Sequence, residues 1–307
     1  MEKSAKIYVA GHNGMVGSAI VRTLKANGYG NFVTRSSSEL DLRDQKVTID
    51  FFKSERPDYV FLAAAKVGGI LANKEHQAEF FYDNMAIELN AIHAAHLSGV
   101  KKFCFLGSSC IYPKLSPQPI KEEYLMTGPL EETNFAYASA KIAGIKMCEA
   151  YHDQYDFNYV ALMPCNLYGP GDNFDPKSSH VLPALLRKVV EAKEREEKEI
   201  VMWGTGTPRR EFLYVDDVAN AAVFLMEHED ARGMYNVGMG DDITIKELLE
   251  KICQIVGYEG TIIPDPTKPD GTPRKLLDVS KINTLSWHPS VSLDEGIRRL
   301  HDWFIHL

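Results

Sequence analysis

Basic residues are in the minority: 34 lysines and arginines stand against 42 aspartates and glutamates, a formal net charge of −8. That balance removes the electrostatic case for nucleic acid or an anionic membrane as a partner, so a phosphate-bearing ligand must be held by a few local cations and backbone amides. Cysteine is scarce as well. Five residues, an odd number without a CxxC pair, make no disulfide framework, and no metal site is expected. Long apolar runs are missing: stretches such as Ala221 to Met226 fall far short of the roughly 20 residues that cross a bilayer, so no membrane span is expected. The opening MEKSAKIYVAG reads as the start of a strand, not a signal peptide, which suits a reducing cytoplasm. What remains is an ordinary globular composition, 45% hydrophobic and 25% charged over 307 residues, enough for a main domain and a smaller second one.

Lys6 to Ala10 reads as a short buried strand that runs into Gly11-His12-Asn13-Gly14-Met15-Val16-Gly17 and then a helical pattern from Met15 to about Ala26. Glycines allow a sharp turn and close approach to a pyrophosphate, and the free N–H groups at the helix start favour its negative charge. A tight turn with close helix packing would look the same. Further strands are expected at Asn31 to Arg35 and Asp58 to Ala63, with an amphipathic helix from Lys46 to Glu55 between them. Such alternation predicts a parallel, doubly wound sheet of Rossmann type. After the second strand a carboxylate binds a ribose hydroxyl, whereas an arginine suits the extra phosphate of NADPH. Arg35-Ser36-Ser37-Ser38 stands there, which favours NADP(H), although a polar surface loop would have the same composition.

A fourth strand, Lys102 to Leu106, ends in Gly107-Ser108-Ser109-Cys110. Ligands bind beyond the carboxyl ends of strands in this architecture, so these side chains should line the crevice, with a buried packing thiol as the alternative for Cys110. Tyr137 and Lys141, four apart in a helical pattern reaching about Tyr155, share one helix face. A nearby ammonium lowers a phenol's pKa and makes it a usable proton donor and acceptor, though the same spacing is common on helix surfaces.

The segments AGHNGMVG (10–17), LAAAKVGG (62–69), LGSSCIYPK (106–114), Tyr137 with Lys141, MPCNLYGPG (163–171) and KPDGTPRKLLD (268–278) resemble, in order and across nearly the whole chain, the extended short-chain dehydrogenase/reductase superfamily. The likeness is closer still to the branch of it that makes GDP-L-fucose. This resemblance implies a 3,5-epimerase and NADPH-dependent 4-reductase acting on GDP-4-keto-6-deoxy-D-mannose. Cys110 would be the base and His180 the acid of epimerisation, with His180 also able to support the thiolate. Tyr137 would protonate the C4 oxygen, assisted by Ser108 and Lys141. The cofactor would lie on residues 11 to 17, Arg35, Ser36, Ser37, Asp41, Leu42, Leu62, Ala63, Ala64, Leu106, Gly107, Ser108, Ser109, Tyr137, Lys141, Pro164, Cys165, Asn166, Leu167 and His180. The nucleotide sugar would meet Ser108, Ser109, Cys110, Asn166, His180, Arg187, Trp203, Arg210, Asp270 and Lys275. Each of the last five also has a plainer reading, from a solvated helix arginine to a core tryptophan or a turn-forming aspartate.

After Gly171 the alternation breaks. We expect the cofactor domain to comprise residues 1–170 and about 210–238, and a smaller mixed α/β substrate domain to comprise about 171–209 and 239–307. A helix is expected from Leu182 to about Lys193, and Phe212 to Met226 should return to the first domain with Asp216 or Asp217 capping its helix. Helical segments near 84–97 and 137–155 imply, by the same resemblance, a homodimer. A nucleotide-sugar dehydratase or simple 4-epimerase is the nearest rival, but dehydratases of this superfamily carry an acidic pair where Ser109-Cys110 stands. A nicotinamide-sensing regulator would have no use for Ser108, Tyr137 and Lys141 together. Some relatives also place arginines where Asn13 and Ser37 stand, which bears on how strongly NADPH is preferred over NADH.

Overall fold

Ile7-Tyr8-Val9-Ala10 is apolar at every position, as a strand covered on both faces must be, and it forms the fully buried β1 (Ile7–Ala10). The computed structural model describes every residue except Pro176, Lys177 and Pro269, and only the backbone of Ile70 and Leu71. After β1 come α1 (Met15–Ala26), β2 (Phe32–Val33), α2 (Gln45–Glu55), β3 (Tyr59–Leu62), α3 (Ile70–Glu75), α4 (Gln77–Leu97), β4 (Lys102–Leu106), α5 (Phe135–Tyr155) and β5 (Tyr159–Pro164). The later chain adds β6 (Asn166–Tyr168), α6 (Val181–Glu194), β7 (Glu199–Trp203), β8 (Arg209–Arg210), β9 (Phe212–Tyr214), α7 (Val215–Glu227), β10 (Gly233–Val237) and β11 (Ile243–Thr244). It closes with α8 (Ile245–Val256), β12 (Thr261–Asp265), β13 (Arg274–Lys275), α9 (Ser280–Asn283) and α10 (Leu293–Phe304).

Six strands form one all-parallel sheet in the order β10-β5-β4-β3-β1-β2. The chain leaves β1 toward β2 and then crosses to the other side for β3, so the order reverses between β1 and β3. A crevice opens there, at the carboxyl ends of the strands. Helices α1 and α7 pack together, while α4 packs against both α2 and α5. The smaller sheets pair β12 with β7, β9 with β6, and β8 with both β11 and β13. A second apolar cluster, built on Leu182, Leu186, Leu248, Ile252 and Leu300, lies under α6, α8 and α10, separate from the core of the main sheet.

Three expectations change. The second strand pairs only over Phe32–Val33, because it is an edge strand with β1 as its sole neighbour and the polar Arg35 turn follows at once. The helix expected from Asn84 begins earlier, at Gln77. Phe212 to Met226 splits into β9, which pairs with β6 outside the main sheet, and α7, whose first turn carries Asp216 and Asp217 without a side-chain cap. Asp217 is instead buried. It accepts hydrogen bonds from Ser290 N (3.0 Å), Ser290 Oγ (2.7 Å) and Val291 N (3.0 Å), stapling the segment before α10 to α7.

Candidate active site

The turn after β1 is closed by sterics. Gly11 has φ +80°, and a Cβ on it would lie 2.7 Å from Ala64 N; one on Gly17 would lie 2.1 Å from Gly11 O. Only glycine lets α1 start so close to the strand ends. The first turn of α1 has no side-chain cap, so its N–H groups face the crevice unclaimed by protein side chains. His12 Nδ1 is buried there without a hydrogen-bond partner among the described residues. These features fit a dinucleotide pyrophosphate.

The polar loop after β2 is more occupied than its sequence suggests. Arg35 Nη2 pairs with Glu55 Oε1 at 3.0 Å and Nη1 donates to Thr34 O at 2.8 Å. Ser36 N and Oγ both donate to Glu39 Oε2 at 2.7 Å, and Ser37 is exposed. Asp41 is engaged by Arg43, while Leu42 is buried and its carbonyl accepts from Asn90 Nδ2 at 2.9 Å. Ala63 N donates to Ala10 O at 3.0 Å, which sets the Leu62–Ala64 strand end against the glycine turn.

At the end of β4, Gly107 N donates to Leu162 O at 2.8 Å, and Ser108 Oγ accepts from Cys110 N at 3.3 Å, closing a single 3₁₀ turn over Ser109–Ile111. That turn buries Cys110. Burial pushes its thiol pKa up, and the opposing influences are the Lys275 ammonium first, then the Ser108 hydroxyl and Lys141. The positive charge near the thiol thus comes from two lysines; His180 is not among the groups acting on it. His180 forms the N-cap of α6 without a capping bond; the residue is exposed overall, and desolvation lowers its pKa. Its loop is tied to the 66–69 loop by Gly69 N donating to Ser178 O at 3.1 Å.

Tyr137 and Lys141 share a face of α5, as their spacing requires, but the lysine does not lower the phenol's pKa. Burial raises the Tyr137 pKa well above its usual value, with Cys110 and Glu88 adding to the shift. The reason is visible in the geometry: Lys141 Nζ lies 2.9 Å from Glu88 Oε1 on α4, and 5.7 Å from the Tyr137 ring centroid. A phenol in that setting keeps its proton until a partner takes it. Glu88 was not flagged by motif, yet it shares the core-facing side of α4 with the buried Asn84, Ala91, Ile92 and Ala95. An acid on an apolar helix stripe is the signal that points to it.

Beyond β5, Pro164 and Cys165 pass into Asn166 and Leu167 of β6, and Asn166 Nδ2 donates to Glu211 O at 2.9 Å. Arg210 and Lys275 are register partners in the β8–β13 pair. Arg210 Nη1 donates to Thr272 O at 2.6 Å, and Arg210 and Lys275 both have pKa values lowered by burial. Arg210 is not paired with Glu211, whose carboxylate accepts from Gly240 N and Leu277 N. Trp203 is 67% exposed, with the Lys268 and Lys188 ammoniums 5.7 and 6.0 Å from its ring. Asp270 accepts from Thr205 N (2.9 Å) and Thr205 Oγ1 (2.8 Å), and Arg187 pairs with Glu191 at 2.6 Å while donating to Phe174 O. Ser108, Cys110, Tyr137, Lys141 and Lys275 therefore cluster beyond β4, whereas Trp203 ends β7 and Arg187 lies on α6, elements that feed the second apolar cluster, and Asp270 is tied to Thr205 after β7.

The profile of the NAD dependent epimerase/dehydratase family matches residues 7–238. GDP-L-fucose synthase 1 of Arabidopsis thaliana is 54% identical over 99% of this chain and 94% of its own length. GDP-L-fucose synthase of Escherichia coli is 53% identical over 98% of this chain and 96% of its own. Among solved structures, a GDP-L-fucose synthetase from Naegleria fowleri superposes with a TM-score of 0.92 at 28% identity, covering 100% of this chain and 95% of that one. A GDP-mannoheptose C4 reductase from Campylobacter jejuni, solved with NADP bound, gives 0.90 at 39% identity, with 99% of each chain covered. A parallel sheet with a glycine turn at its switch point, a serine–cysteine strand end facing a Tyr-x-x-x-Lys helix, and full-length likeness to these enzymes lead to one conclusion: the chain belongs to the NAD dependent epimerase/dehydratase family.

Proposed function

We propose that the protein is a bifunctional 3,5-epimerase and NADPH-dependent 4-reductase that converts GDP-4-keto-6-deoxy-D-mannose to GDP-L-fucose. One observation carries the reading: a buried thiol, Cys110, stands one 3₁₀ turn beyond Ser108 and beside Lys275, within the same strand end that faces Tyr137 and Lys141. A reductase alone needs the serine, tyrosine and lysine. The thiol adds a base where ring protons can be reached.

A C4 ketone acidifies the hydrogens on C3 and C5. Cys110 removes them as its thiolate, which Lys275 and Lys141 favour against the burial that opposes it. His180, exposed to solvent from which it can regain protons, returns protons to the sugar carbons. Tyr137 holds its proton until charge develops on O4 and then gives it up, with Ser108 fixing that oxygen. When bound, NADPH supplies the reducing equivalent that saturates C4. The cofactor would lie on the Gly11–Gly17 turn, Arg35, Ser36, the Leu62–Ala64 and Leu106–Ser109 strand ends, Tyr137, Lys141 and the Pro164–Leu167 segment. Arg210 and Lys275 neutralise the substrate diphosphate, and exposed Trp203 offers a flat wall to the base. In this reading the second apolar cluster, with residues of about 171–209 and 239–307, is the GDP-sugar domain.

The protein acts as a homodimer. The α4/α5 pair leaves Phe81, Tyr82, Leu89 and Leu97 of α4 and Phe135 and Tyr155 of α5 at least 38% exposed, a stripe that a second copy would cover; a monomeric mass by light scattering removes this part. We place the enzyme in the cytoplasm, where its five free, buried cysteines stay reduced. Among the described residues no helix is long and apolar enough to cross a membrane.

The test mixes the protein with GDP-4-keto-6-deoxy-D-mannose and NADPH, follows cofactor oxidation and identifies the sugar by NMR. GDP-L-fucose is the expected product. Oxidation that yields an unepimerised 6-deoxy sugar would make the protein a C4 reductase and leave Cys110 without its role.

A further inference from the structure

We infer that Glu88 is a positioning residue for the tyrosine–lysine pair: its buried carboxylate keeps the Lys141 ammonium charged and fixed where water does not reach. Both side chains are almost fully enclosed, 1% exposed for Glu88 and 2% for Lys141, with Nζ 2.9 Å from Oε1. Apart from Lys141, neither carboxylate oxygen has a partner among the described residues, so the acid is committed to the lysine. The slot is shaped for it. Gly144 lies one turn along α5 from Lys141, and a Cβ there would come 2.6 Å from Glu88 Oε2 and 2.7 Å from the Phe105 ring. The Phe105 ring in turn stands 4.9 Å from Nζ.

A buried ion pair is a poor way to stabilise a core, since apolar residues of similar volume usually do as well. Its presence beside a proton donor therefore asks for another reason. An ammonium buried without a counter-charge gives up its proton, because desolvation penalises the charged form. The other titratable groups around the pair do not offer a negative charge near neutral pH. Tyr137 and Cys148 on α5 and Cys110 beyond β4 are all buried and pushed toward their neutral forms, and Lys275 of β13 beside Cys110, its pKa lowered by burial, carries a positive charge or none. Glu88 is the acid that remains. Burial raises its pKa, and Lys141 is what opposes the shift.

The inference rests on reading Lys141 as the functional partner of Tyr137, and its main readout needs neither substrate nor turnover, so the two can fail separately. Protein labelled with ¹³C at lysine Cε is titrated by NMR, and the Lys141 signal is assigned by its loss in Lys141→Met. In Glu88→Gln that signal should titrate at least about two pH units below its position in the parent, while Glu88→Asp keeps it near the parental value. With substrate and NADPH, Glu88→Gln should lower kcat at pH 7 by about 10²-fold, with Glu88→Asp recovering part of the loss. If Glu88→Gln does not fold, the double variant Glu88→Gln with Lys141→Met should, since it carries no lone buried charge. A lysine signal that titrates in Glu88→Gln as it does in the parent overturns the inference. So does a double variant no more stable than Glu88→Gln alone.

Discussion

Glu211 offers a quantitative check on how the strands around Arg210 and Lys275 are held. It is fully buried, with Oε1 accepting from Gly240 N at 2.7 Å and Oε2 from Leu277 N at 3.0 Å, so it ties the β8–β9 junction to the turn after β10 and to the chain leaving β13. Those links flank Arg210 and Lys275. Burial pushes the Glu211 carboxyl from 4.5 up to about 7, outweighing the amides that favour its charged form. The sign follows: between those values the folded chain holds a proton that the unfolded chain has released, so stability is greatest at the acid end and falls as pH rises through 7. A gap of about 2.5 units at about 1.4 kcal/mol each makes the full loss about 3.5 kcal/mol, of which about 2.5 kcal/mol falls between about pH 5 and 8. Glu211→Gln removes the titration and pays a pH-independent cost, because its amide nitrogen must face a backbone N–H. Calorimetric melts of both proteins from pH 5 to 8 should therefore converge toward high pH. The midpoint difference should shrink by about 5 °C over that range, taking about 2 °C per kcal/mol for a chain of this size. Parallel midpoint curves would refute the reasoning, since every other titrating group is common to both proteins.

Cys110→Ser should keep NADPH binding yet abolish exchange of the substrate's C3 and C5 protons into deuterated solvent, because a serine hydroxyl is far less acidic; parental exchange by NMR would remove the thiol as base. Ser37→Arg should raise the NADPH over NADH preference in kcat/KM, since Ser37 is exposed and Arg35 is already shared with Glu55 and Thr34 O; an unchanged ratio would place the phosphate elsewhere. Asp217→Ala should cost about 3 kcal/mol in urea unfolding, from the Ser290 and buried Val291 amides left unpaired. Asp217→Asn, keeping one acceptor, should cost less, and equal losses would argue against the hydrogen-bond account.

Much of the site was legible because its parts are local. Gly11 to Gly17 must be glycine-rich for a strand to turn into a helix at van der Waals distance, and Tyr137 and Lys141 meet because they are four apart on one helix. Cys110 was placed outside the sheet by the strand that ends at Leu106. Readings that depended on partners from distant segments fared differently. Asp217, one of the two aspartates expected as a helix cap, instead binds the 290–291 backbone, and the lysines that act on the Cys110 thiol, Lys275 and Lys141, come from β13 and α5.

The sequence by itself determined the parallel doubly wound sheet, the glycine turn after β1 and the family, since periodicity and short motifs act over a few residues and survive without knowledge of packing. Only the tertiary structure decided the ionisation of the site. Burial raises Tyr137 and Cys110, and Lys141 faces Glu88, 53 positions earlier in the chain, more closely than the tyrosine four positions away. Charge states depend on which groups share a water-free volume, and that volume exists only once α4, α5 and β4 have packed together.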